Sequence, residues 1–136
     1  MLLAQKRIFM IEDNTNNLAV AMAHLRSQGA TVLYEKWGSG TPELIARALP
    51  IDVILLDLML PNDVNGFDVF DEIQQVPDLA AILVVVISAV DPDVAMPKAR
   101  QKGLAGFIAK PISVYIGKYI ADVLGGKQVW IAESQR

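Results

Sequence analysis

Cysteine is absent from the 136 residues, and histidine occurs once. These two gaps exclude disulfide frameworks, thiolate nucleophiles and cysteine-based zinc sites. A basic excess is also missing: 12 Lys and Arg face 15 Asp and Glu, for a formal net charge of −3. Domains that neutralise nucleic-acid phosphates carry the opposite balance, so nucleic acid is not an expected partner. Long hydrophobic runs are lacking as well, although mean hydropathy is +0.37. The longest, Leu79 to Ile87, is closed by Asp78 and Ser88 and falls far short of the ~20 residues of a spanning helix. Met1-Leu2-Leu3-Ala4 precedes rather than follows the basic pair Lys6 and Arg7, the reverse of a signal peptide. The chain is therefore expected to be soluble and cytoplasmic, with no membrane insertion. A folded chain of this mass exposes roughly 7,000 Å², against roughly 21,500 Å² when extended. That is enough burial for one domain with a core of its own.

What is present is a regular series of short apolar runs. Ile8-Phe9-Met10-Ile11, Thr31-Val32-Leu33-Tyr34, Val53-Ile54-Leu55-Leu56, Ile82 to Ile87 and Gly106-Phe107-Ile108-Ala109 are the five. Continuous rather than alternating apolar runs mark strands buried on both faces. Segments with helical spacing lie between them: Leu18, Met22 and Leu25 before Gly29; Leu44, Ile45, Ala48 and Leu49; Phe67, Phe70 and Ile73; and Tyr115 to Val123. Residues 91–103 carry Pro92 and Pro97, which predicts a fourth helix that starts late, near Met96, or is kinked. Strand–helix alternation repeated five times predicts a doubly wound α/β domain, with a parallel sheet covered by helices on both faces. The domain is expected over 1–125, with 126–136 as a short C-terminal tail whose Val129-Trp130-Ile131 can dock.

In such sheets ligands bind beyond the carboxyl ends of the strands. Glu12 and Asp13 follow the first run, Asp57 the third, Ser88 the fourth and Lys110 the fifth. Each has a bland reading as a helix cap, turn residue or surface lysine. Asp57 is the hardest to dismiss, because a carboxylate directly after four apolar residues is costly to bury alone. Three crowded carboxylates repel unless a cation and an ammonium offset them. Oxygen ligands of this kind suit Mg²⁺.

The chain resembles the receiver domain of two-component response regulators from about Lys6 to Leu124. The resemblance is carried by Ile11-Glu12-Asp13-Asn14, Leu56-Asp57-Leu58-Met59-Leu60-Pro61, Asn65-Gly66, Ile87-Ser88-Ala89 and Gly103-Leu104-Ala105-Gly106-Phe107-Ile108-Ala109-Lys110-Pro111. It implies a flavodoxin-like sheet of five strands in the order 2-1-3-4-5. It further implies that Asp57 accepts a phosphoryl group from a phosphohistidine, with Mg²⁺ held by Glu12, Asp13, Asp57 and the Met59 carbonyl. Lys110 would pair with a phosphoryl oxygen, and the Lys110-Pro111 bond would be cis. Ser88 would be the switch hydroxyl, and Phe107 the switch aromatic that turns inward as Ser88 moves. The partners implied are a histidine kinase or histidine phosphotransfer protein, a downstream protein target and a second copy of the chain.

Three departures stand out. Asp57 to Gly66 is one residue longer than usual, the acidic pair is Glu-Asp rather than Asp-Asp, and Pro97 lies in the fourth helix. The leading expectation is a stand-alone, non-enzymatic phosphoacceptor switch. A degenerate receiver acting as a phosphorylation-independent interaction module is the alternative. An Asp57-based phosphohydrolase is a weaker third, since Met59 stands where a second acid would be needed. Gly38-Ser39-Gly40 lacks a third glycine and a strand-to-helix setting and reads as a loop. His24 reads as a helix-face residue, and Lys98, Arg100 and Lys102 as a solvated basic patch.

Overall fold

A computed structural model describes residues 1–133 of the chain. The elements alternate as the apolar runs predict: β1 (Arg7–Ile11), α1 (Thr15–Ser27), β2 (Thr31–Glu35), α2 (Thr41–Ala48), β3 (Val53–Leu56), α3 (Gly66–Gln74), β4 (Leu83–Ser88), α4 (Pro92–Lys102), β5 (Gly106–Ala109) and α5 (Ile116–Leu124). All strand pairings are parallel. The first five strands run in the order β2-β1-β3-β4-β5.

Successive residues along each strand feed opposite faces, which is why the runs are apolar throughout. Phe9, Ile54, Leu56, Val84, Val86 and Phe107 pack with Ile45 of α2, Phe70 and Ile73 of α3, and Ala95 and Ala99 of α4. Ile8, Met10, Val53, Leu55, Val85 and Ile108 pack on the other face with Leu18 and Leu25 of α1 and Ile116, Ile120 and Val123 of α5. The accessible surface is 7048 Å², as the mass scaling requires.

Two expectations are corrected. Among the described residues the sheet has six strands rather than five, because Val129–Ile131 forms β6 and pairs in parallel with β5. The expected 126–136 tail thus contains a strand; its residues 134–136 lie outside the described part. The fourth helix begins at Pro92, not near Met96. Asp91 caps it by accepting the Asp93 N–H at 2.9 Å, and proline at the first helical position loses only an N–H that has no partner there. Pro97 sits inside the continuous helix on its exposed face. Strong start signals outweigh one interior proline, whose cost is about 3 kcal/mol.

Candidate functional site

The strand order reverses beside β1, and the carboxyl ends of β1, β3 and β5 carry the acids and the lysine that meet there. Glu12 extends β1, its N–H donating to the Glu35 carbonyl at 3.1 Å. Its side chain is 1% exposed, and its Oε2 accepts the Asn14 N–H at 3.2 Å. Asp57 continues β3, its N–H donating to the Ile11 carbonyl at 3.0 Å. It is 6% exposed, with Oδ1 accepting the Met59 N–H at 3.3 Å. Asp13 faces solvent. One carboxylate oxygen each from Glu12, Asp13 and Asp57 lies within 4.8 Å of the others.

Lys110 ties two of them together. Its Nζ stands 2.6 Å from Glu12 Oε1 and 3.0 Å from Asp57 Oδ2. Lys110 follows β5 directly, its N–H donates to the Ser88 carbonyl at 3.0 Å, and its bond to Pro111 is cis, as the resemblance implies. Burial pushes the Glu12 carboxyl up to about 7; the Lys110 ammonium opposes this and the Asp57 carboxylate adds to it. Burial acts downward on Lys110, but the Glu12 and Asp57 carboxylates outweigh it and hold the ammonium above the usual lysine value. One lysine against three acids leaves negative charge uncompensated.

The donor set fits a hard divalent cation. It offers only oxygen, one face is open through Asp13, and buried Glu12 Oε1 has no partner among the described residues besides the Lys110 ammonium. Carboxylates with room for water are the surroundings Mg²⁺ takes.

Ser88 is fully buried at the end of β4, opposite Ala109, and its Oγ accepts the Val90 N–H at 3.2 Å. Phe107 is also fully buried, in the core layer under α4. The extra residue after Asp57 is absorbed locally. Pro61–Asp63 forms a 3₁₀ turn in which Asn62 and Asp63 take left-handed φ of 59° and 58°, a conformation these residue types tolerate. Leu60 N–H then closes on the Val64 carbonyl, and Gly66 N–H on the Leu58 carbonyl. A side chain at Gly66 would begin 2.1 Å from the Asp57 carbonyl oxygen, so glycine is what lets α3 start against the acid's own backbone.

The sequence reading missed Glu35. Its buried carboxylate accepts the N–H groups of Trp37 and Gly38 and the Thr41 hydroxyl. Gly38-Ser39-Gly40 is the loop expected, but it does join a strand to a helix, β2 to α2. Glu35 fills the N–H positions that an anion would otherwise use. The loop also braces the site, since Gly38 packs under Leu60 and Val64. An acid at a strand end followed by Gly-Ser-Gly-Thr was the available signal. His24 lies in the last turn of α1. The basic patch is engaged by its own chain: Lys102 pairs with Asp71 at 2.8 Å, Lys98 stands over the Phe67 ring and Arg100 over the Trp130 ring.

Such a site can present a carboxylate nucleophile beside a fixed ammonium, with oxygen ligands for a metal on the open side. Comparison with known proteins gives the family of the chain. The family model for the response regulator receiver domain matches residues 8–115. The response regulator PleD of Caulobacter vibrioides is 32% identical over 106 residues, 78% of this chain but only 23% of PleD. The chain thus spans about a quarter of that relative's length. The polar-differentiation response regulator DivK of Brucella abortus is 28% identical over 109 residues, covering 80% of this chain and 87% of DivK. Among solved structures, the receiver domain of sensor histidine kinase PA1611 from Pseudomonas aeruginosa, with a magnesium ion coordinated in its active site cleft, is 26% identical. It aligns with a TM-score of 0.76 over 90% of this chain and 99% of that one.

Proposed function

This chain belongs to the response regulator receiver domain family, and from that premise we propose that Asp57 is the phosphoacceptor of a signalling switch. The observation that carries the proposal is the placement of Lys110 Nζ between Asp57 Oδ2 and Glu12 Oε1. An Asp57 carboxylate oxygen attacks the phosphorus of a phosphohistidine on a kinase or phosphotransfer protein. The O–P bond forms, the N–P bond breaks, and the departing imidazole takes up a proton. Charge on the equatorial oxygens is met by Lys110, which can move from Asp57 Oδ2 to a phosphoryl oxygen without leaving the site. Glu12, Asp13, Asp57 and the Met59 carbonyl would hold Mg²⁺, which supplies further positive charge to those oxygens when bound. The buried Ser88 hydroxyl gives up the Val90 N–H for the phosphoryl group, and Phe107 follows into the space it leaves. That rearrangement biases a two-state surface toward a protein target.

The full chain, incubated with a small acyl-phosphate donor and Mg²⁺, should gain one phosphate by intact mass. Asp57→Asn, or chelation of the metal, should abolish the gain. An unmodified wild type, under conditions that modify another receiver, defeats the proposal.

A further inference from the structure

β5 is the strand that delivers Lys110, and its outer edge is covered by β6, a three-residue strand beyond the matched region of residues 8–115. The contact is close and specific. A Cβ on Gly106 would begin 2.4 Å from the Val129 carbonyl oxygen, and its three nearest neighbours all belong to Val129. Next along the register Trp130 lies opposite Phe107. Trp130 packs against the same core layer that holds Phe107, Ala95 and Ala99, and the Arg100 guanidinium of α4 stands 4.6 Å over its ring. β6 is reached through Gly125-Gly126, Gly126 having φ of +96°. β6 is only three residues long and forms the outer edge of the sheet, with Val129 and Ile131 on the α5 layer and Trp130 on the α4 layer. So short an edge strand lies toward the low end of local stability.

We propose that β6 is a strap on the Lys110 strand, released when Asp57 is phosphorylated; this rests on reading Asp57 as the phosphoacceptor. Moving Lys110 to a phosphoryl oxygen and Phe107 toward the space left by Ser88 shifts the residue opposite Trp130 in the strand register and disturbs the core layer that Trp130 packs against. Lost contact on one side forfeits much of the ring's packing. Release bares the β5 edge, a row of unpaired backbone groups suited to an incoming strand. Linkage is reciprocal: if phosphorylation loosens β6, then loosening β6 favours the phosphorylated state by the same factor.

The test is amide hydrogen exchange on the full chain, read at residues 129–131, with and without acyl-phosphate donor and Mg²⁺, alongside intact mass. Exchange there should quicken at least about fivefold on phosphorylation. Gly106→Ala, whose new methyl meets Val129 first, should exchange fast with or without the donor. It should also bind Mg²⁺ with beryllofluoride, a phosphoryl mimic, at least about fivefold more tightly than wild type. Phosphate incorporation with unchanged or slowed exchange at 129–131 overturns the strap alone. Absence of incorporation overturns the strap together with the phosphoacceptor reading. Trp130→Leu gives an independent arm, since it loosens β6 without touching β5 backbone; unchanged mimic affinity in both variants also overturns the strap.

Discussion

Lys110 Nζ lies 3.0 Å from Asp57 Oδ2, a contact made across the sheet by the residue that follows β5 and the residue that follows β3. With the same ammonium 2.6 Å from Glu12 Oε1, one cation serves two buried carboxylates. Removing it leaves both uncompensated. Lys110→Ala should therefore destabilise the metal-free protein by about 3 kcal/mol, the low end for a broken buried pair because Glu12 can take up a proton. Mg²⁺ should restore part of the loss. Urea unfolding with and without Mg²⁺ measures both effects.

Glu12 gives the metal-free protein a pH dependence of defined sign. Its carboxyl is raised from 4.5 to about 7, chiefly by burial. Between those values the folded state holds a proton that the unfolded chain has released. Stability from this group is complete below pH 4.5 and is lost as pH rises through about 7, by up to about 3 kcal/mol. Unfolding in EDTA across this window should show the decline, and Glu12→Gln should flatten it.

Gly66→Ala tests the approach of α3 to the acid. The new methyl would begin 2.1 Å from the Asp57 carbonyl oxygen and 2.8 Å from the Leu58 Cα, and neither backbone atom can yield as a side chain does. A loss of about 3 kcal/mol is expected, with weakened Mg²⁺ binding. Calorimetry of both quantities checks it; wild-type values would mean that the loop after Asp57 does not need this close packing.

Ser88→Ala separates acceptance from propagation. It leaves the Val90 N–H without its acceptor, costing about 1 kcal/mol. Asp57 should still gain phosphate, but the amide shifts around Phe107 that accompany it in wild type should shrink. Equal shifts in wild type and variant would remove Ser88 from the switch.

The strands were legible because burial on both faces leaves no room for polar residues; Val53–Leu56 and Gly106–Ala109 match their apolar runs. Glu12, Asp57 and Lys110 could be picked out because each stands just past such a run, and the structure brings these three together. α4 was misjudged where one signal opposed another, Pro97 against the Asp91-Pro92 start. β6 could only be anticipated as a docking segment, since its pairing depends on the lack of a side chain at Gly106 on another strand. Glu35 went unseen because its partners are backbone N–H groups of a loop, which composition does not display.

The central claim is that the phosphoryl group sits on Asp57. Treatment with acyl-phosphate donor and Mg²⁺, followed by borohydride, reduces an aspartyl phosphate to the primary alcohol homoserine, which peptide mass mapping locates. The account predicts homoserine at position 57, dependent on Mg²⁺. Incorporated phosphate with homoserine at another aspartate, or with none at all, would contradict it.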